Sequence, residues 1–96
     1  MGKNKLSKFA DLATYEHVVQ ITYKELQAAE FRFKGKWSEA FFGNSNPIIL
    51  ELGCGKGEYT VKLATHFSEF NFIGIDIKGS RMWKGATQAK DLGLKN

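Results

Sequence analysis

The chain has 96 residues, 43% of them hydrophobic, which excludes a disordered tail and bounds the molecule to one small domain with a marginal core unless partner surface covers part of it. Its formal charge of +4, from fourteen Lys and Arg against ten Asp and Glu, mildly favours polyanionic partners without excluding an ordinary cytoplasmic enzyme. With one cysteine, Cys54, there is no internal disulfide; no Cys and His cluster stands at metal-ligand spacing, and no window approaches the ~20 apolar residues of a membrane span. No metal and no membrane are expected, and a reducing cytoplasm fits.

The leader MGKNKLSKF carries Lys3, Lys5 and Lys8 and no acid among its first eight residues, and no apolar segment of a signal peptide follows it. Gly2 after Met1 matches a weak myristoylation signal, which the lysines outweigh in favour of a nucleic-acid arm. Two readings stand for those lysines: phosphate contacts that carry no sequence information, or a solvated terminus. Lys5 to Ala13 suits two helical turns, Lys24 to Glu30 holds strong helix formers, and Lys36 to Phe42 reads as a short helix ended by Gly43. Phe31, Phe33, Trp37, Phe41 and Phe42 give these segments rings to pack on the rest of the domain, with base stacking as the second reading. The turn formers GNSNP then divide the chain into an extension, residues 1–46, and a strand-and-helix unit, residues 47–96.

In that second unit Ile48 to Leu52 is a short apolar run ended by glycines, which predicts a buried parallel strand. Tyr59, Leu63, Ala64 and Phe67 recur at helical spacing, and Asn71 to Ile77 is a second apolar strand. Ser80 is expected to cap a helix running to about Asp91, with Met82, Trp83, Ala86 and Ala89 on one face and Gly93 as its stop. Two strands joined by a helical crossover pair in parallel, so the fold class is α/β: the β-α-β-α opening of a Rossmann-like sheet after a mostly helical or irregular extension.

Gly53, Gly55 and Gly57 stand where the first strand turns into its helix, a place where bare backbone takes positive φ and lets a ligand lie close. A dinucleotide fingerprint would need glycine at 58, where Glu58 stands, and a P-loop would need Lys followed by Ser or Thr. What remains is acid-x-Gly-x-Gly-x-Gly, with Glu51 at the strand end and Asp76 nineteen residues after Gly57. An adenosyl ligand without phosphates fits this pattern: its amino acid moiety takes backbone contacts and its ribose hydroxyls need a carboxylate acceptor, assigned to Asp76. Glu51 either accepts from the ligand's ammonium or braces the glycine turn. For both acids the competing role is a helix cap or a solvated side chain. Cys54 reads as a small side chain in a tight loop rather than a nucleophile. His17 and His66 have no triad or metal partner nearby in sequence.

The runs LELGCGKGEYT and NFIGIDIKGSRMWKGA resemble the first cofactor motif and second strand of the bacterial tRNA (guanine-N7)-methyltransferase family, and the leader KNKLSKFADLATYEHVVQ resembles the amino-terminal arm of members from one bacterial lineage. The resemblance implies a cytoplasmic enzyme that transfers methyl from S-adenosylmethionine to N7 of a guanine in the tRNA variable loop. It carries over Glu51, Gly53, Cys54, Gly55, Gly57 and Asp76 as cofactor ligands and Lys3, Lys5 and Lys8 as tRNA contacts. It also implies that the catalytic residues lie beyond Asn96, so that this chain is an amino-terminal part, inactive alone; the apolar faces of so short a sheet predict a dimer or larger self-association. The alternatives are a small-molecule methyltransferase using the same cofactor and a non-enzymatic half-Rossmann interaction module.

Overall fold

The computed structural model describes residues 4–96, so Lys3 lies outside the described residues. Helix α1, Lys5–Thr14, starts where the Asn4 side chain accepts the Ser7 N–H at 2.8 Å, and α2, Tyr23–Ala28, starts where the Thr22 hydroxyl accepts the Glu25 N–H at 3.1 Å. Each cap satisfies an N–H that the first turn leaves without a partner. Residues Trp37–Phe42 wind as a π-helical turn, ended by Gly43 at φ 71°, whose N–H donates to the Ser38 carbonyl at 2.7 Å. The short helix before Gly43 is thus present, but wound more widely than an α-helix.

Strands β1, Ile48–Leu52, and β2, Asn71–Ile75, pair in parallel from Ile48 opposite Asn71 to Leu52 opposite Ile75. Helix α3, Glu58–His66, joins them, and α4, Trp83–Asp91, follows β2, giving the anticipated β-α-β-α order. Among the described residues the buried apolar ones are Leu12, Val61, Ala64 and Phe72; α3 packs on β2 and on α4, and α1 packs on α4. Asn71 is fully buried, and its side-chain NH2 donates to Asn44 Oδ1 at 2.8 Å, which ties the GNSNP turn to the start of β2. The Asn96 carbonyl accepts from the Phe72 N–H at 2.7 Å on the edge of β2 away from β1, and the Asn96 side chain donates to the Ala64 carbonyl of α3 and to the Phe67 and Phe70 carbonyls that follow it.

Three local expectations need correction. Ser80 caps nothing: it lies in a 3-10 turn, Gly79–Met82, and α4 begins at Trp83 without a side-chain cap. Strand β1 is largely exposed, with Leu50 at 51% and Leu52 at 74%, because β2 covers one edge and no described segment pairs with the other. Helix α3 buries Ala64 as read and Val61 in addition, but leaves Tyr59 63% exposed; Phe67 caps the helix instead of extending it.

Helix α1 docks on α4 through polar contacts around the buried Leu12. The Trp83 indole N–H donates to Asp11 at 2.8 Å, the Tyr15 and Thr87 hydroxyls meet at 2.9 Å, and His17 Nε2 donates to the Ala86 carbonyl at 2.7 Å. The amino-terminal segment is therefore part of the packed unit from Asn4 onward. Among the described residues no helix is long and apolar enough to cross a membrane.

Candidate functional site

Past Leu52 the chain reverses through three glycines in the left-handed region, Gly53 at φ 69°, Gly55 at φ 59° and Gly57 at φ 79°. Side chains rarely adopt such angles. At Gly53 and Gly55 a Cβ would meet nothing within 4 Å, so these two leave open space above the backbone. Gly57 differs, because a Cβ there would contact Gly85 Cα at 3.7 Å. From the other side a Cβ on Gly85 would stand 2.4 Å from the Lys56 oxygen, while the Gly85 N–H donates to that same oxygen at 2.8 Å. An N–H of the first turn of α4 thus finds its partner in the glycine loop.

The loop is also stitched to β2. The Cys54 N–H donates to the Ile75 carbonyl at 2.9 Å and the Gly55 N–H to Asp76 Oδ2 at 2.9 Å, while Asp76 Oδ1 accepts the Lys78 N–H at 2.9 Å. The Lys78 and Gly55 amides hold the Asp76 carboxyl below its usual range, so it is ionised at neutral pH. Glu51 Oε1 accepts from the Thr60 hydroxyl, which fastens the end of β1 to α3. Gly74 makes this possible, since a Cβ there would lie 3.0 Å from Thr60 Oγ1 and 3.1 Å from Cys54 Sγ. Burial, then the nearby Asp76 and Glu51 charges, push the Cys54 thiol up. It stays neutral and poorly nucleophilic at physiological pH.

Glu51, Gly53, Cys54, Gly55, Gly57 and Asp76 accordingly form one cluster across the ends of both strands. Lys5 and Lys8 do not join it: they lie on α1, where the Lys8 ammonium sits 5.6 Å from the centre of the Trp83 ring. Gly74, Gly85 and Thr60 were not singled out from the sequence. An isolated glycine within a strand or helix pattern signals close approach, and both glycines carried that signal. Of the cluster, Cys54, Gly57 and Asp76, but not Glu51, Gly53 and Gly55, line a groove of about 400 Å³, together with Thr60, Trp37 and Phe41 among other residues. That is within the range of small-molecule sites.

A parallel β-α-β unit with a bare loop between strand and helix is the opening of a Rossmann-like sheet, and the family described as "Putative methyltransferase" matches residues 45–96. The chain belongs to that family. It is similar to the tRNA (guanine-N(7)-)-methyltransferase of Bacteroides thetaiotaomicron, 58% identical over all 96 residues of the chain and 38% of the relative's length. The Christiangramia forsetii protein of the same name is 56% identical over 95 residues, 99% of the chain and 42% of the relative. For the Clostridium beijerinckii protein of that name the figures are 48% over 60 residues, 56% of the chain and 27% of the relative. The chain thus spans about two-fifths of the length of the curated relatives that match it throughout. No solved structure matches it.

Two predictions follow from the loop geometry. Gly85→Ala should destabilise the fold by roughly 1–3 kcal/mol, since the new methyl must displace the Lys56 carbonyl; urea unfolding measures it, and an unchanged midpoint contradicts the close contact. Because the Asp76 carboxyl is depressed on folding, its ionised form adds stability above the ordinary carboxylate range that is lost as pH falls through its lowered value. Stability of Asp76→Asn should therefore fall less steeply between about pH 4 and pH 2 than that of the parent chain, as followed by denaturation at stepped pH. Equal acid slopes would remove the carboxylate from this role.

Proposed function

We propose that this chain is the cofactor-binding part of a tRNA (guanine-N7)-methyltransferase, transferring methyl from S-adenosylmethionine to N7 of a guanine in the tRNA variable loop. Residues 47–96 are the cofactor-binding part and residues 1–46 the extension that helps to hold tRNA, in the cytoplasm. The observation that carries this proposal is the ionised Asp76 carboxylate held against the open backbone of Gly55. The printed names of relatives matching the whole chain support the choice of reaction.

The residues present fit the cofactor. Each Asp76 oxygen accepts one backbone N–H and has a further lone pair for a ribose hydroxyl. The space above Gly53 and Gly55 admits the amino acid moiety, and Glu51, braced by Thr60, has acceptor capacity left for its ammonium. Cys54 fills the floor of the loop as a neutral thiol. The cofactor supplies a methyl group activated on a sulfonium. Guanine N7 carries a lone pair in its neutral form, so the reaction needs alignment and exclusion of water more than a base. Glu51, the glycines and Asp76 orient; the groups that hold the guanine are assigned to the part of the relatives' length that this chain does not span. Lys5 and Lys8, with Lys3, are assigned to phosphates. The exposed apolar residues of β1 support self-association of the isolated chain.

Calorimetry on the complete gene product tests the cradle. Asp76→Ala should weaken S-adenosylmethionine binding roughly 10- to 100-fold through loss of charge-assisted hydrogen bonds, and Asp76→Asn less. Unchanged affinity in Asp76→Ala removes the ribose role. The complete product should methylate tRNA and the isolated chain should not; transfer to a small molecule with none to tRNA would favour the small-molecule enzyme.

A further inference from the structure

Between α2 and the π-helical turn, the run FRFKGKW places aromatic and basic residues at alternate positions, with Gly35 in the one slot that breaks the series. Two tight turns fix it: the Lys34 N–H donates to the Phe31 carbonyl at 3.0 Å and the Lys36 N–H to the Phe33 carbonyl at 2.8 Å, with Gly35 at φ 69°. Phe31, Phe33 and Trp37 are half-buried and join Phe41 in a ring cluster with centroid separations of 5.1 to 5.8 Å. Arg32, Lys34 and Lys36 are all exposed. The Arg32 guanidinium lies 4.6 Å from the centre of the Phe33 ring, and among the described residues Lys34 and Lys36 have no carboxylate partner.

Three cations within five residues, with no acid between them, repel one another, and a flexible chain would spread them apart. Here two tight turns and the ring cluster fix the backbone that carries all three, and exposed cations anchored so close in sequence become favourable when an anion with several charges bridges them. The same segment also bears on the groove, because Phe31 and Trp37 line it together with Gly57 and Asp76. A partner that meets both features has a continuous anionic backbone and carries a base that reaches the groove, which describes a polynucleotide better than an acidic protein or a lipid surface.

We infer that Arg32, Lys34 and Lys36 form a phosphate-binding ridge that seats the tRNA backbone at the rim of the cofactor groove. This rests on the function proposed above and assigns the ridge a positioning role, with no contact to the reacting atoms. It is separate from the leader lysines, of which Lys8 is drawn over Trp83.

The test uses the complete gene product and its Arg32→Gln, Lys34→Gln, Lys36→Gln triple variant, with binding to a tRNA transcript measured across a salt series. The triple variant should show a log–log salt slope shallower by about 2 to 3, and a KM for tRNA at least roughly tenfold higher. Its kcat should stay within about twofold of the parent, and S-adenosylmethionine affinity should not change. The charge-preserving variant Arg32→Lys, Lys34→Arg, Lys36→Arg should restore the slope, which a merely structural effect would not do. If the parent methylates tRNA and the triple variant keeps its slope, the ridge is wrong and the enzyme assignment stands. If the parent retains no tRNA at all, the ridge falls together with the function on which it rests.

Discussion

The close approach of Gly85 to Lys56 and Gly57 is the contact on which the rest of the site depends. One hydrogen bond of 2.8 Å joins the first turn of α4 to the glycine loop; there is no room for a side chain at Gly85, and at Gly57 the constraint is its φ of 79°. With α4 seated there, the loop is clamped between that helix and β2, whose Ile75 carbonyl and Asp76 carboxylate take the Cys54 and Gly55 amides. The loop conformation is thus set by backbone contacts from two elements, leaving the side above Gly53 and Gly55 free. Asp11 of α1, with Tyr15 and His17 just after it, holds α4 through Trp83, Thr87 and Ala86, so the amino-terminal segment also bears on the helix that clamps the loop.

Electrostatics reinforce this division between frame and ligand surface. Asp76 uses its charge on two backbone amides and is ionised; Glu51 is tied to Thr60; Cys54, near both, is kept neutral. A neutral thiol among carboxylates contributes volume, not chemistry, and the two acids keep the acceptor capacity that the proposed cofactor's hydroxyl and ammonium donors need.

Much of this was legible in the sequence where the signal is local. The bounds of β1 follow from an apolar run closed by glycine, and the loop residues Gly53, Gly55 and Gly57 all take the positive φ that their spacing suggested. The stop at Gly43 was equally readable. Signals that depend on what lies across the fold were not. Ser80 looked like a helix cap, but the chain leaving Asp76 first makes a 3-10 turn, and the role of the cap passes to Lys56. Of Tyr59, Leu63, Ala64 and Phe67, read from their helical spacing, α3 buries Ala64 and adds Val61, while Tyr59 and Phe67 stay exposed because β2 and α4 pack against the Val61–Ala64 side. Burial of β1 was over-read, since hydrophobicity records the preference of a strand and not whether a neighbour is present. Gly74 and Gly85 carried only the weak mark of a glycine inside a regular pattern; their necessity appears when Thr60, Cys54 and Lys56 are brought against them.

The central claim is that the clamped loop and Asp76 together form the cofactor cradle. Titrating the uniformly 15N-labelled complete gene product with S-adenosylhomocysteine, the demethylated form of the proposed cofactor, and following amide shifts by NMR tests it most directly. Saturable shifts should centre on Gly53, Gly55, Gly57 and Lys78, because the Gly55 and Lys78 amides share the Asp76 carboxylate proposed to take the ribose. The absence of saturable shifts, or shifts confined to residues remote from the loop such as Leu6 to Phe9, would contradict it.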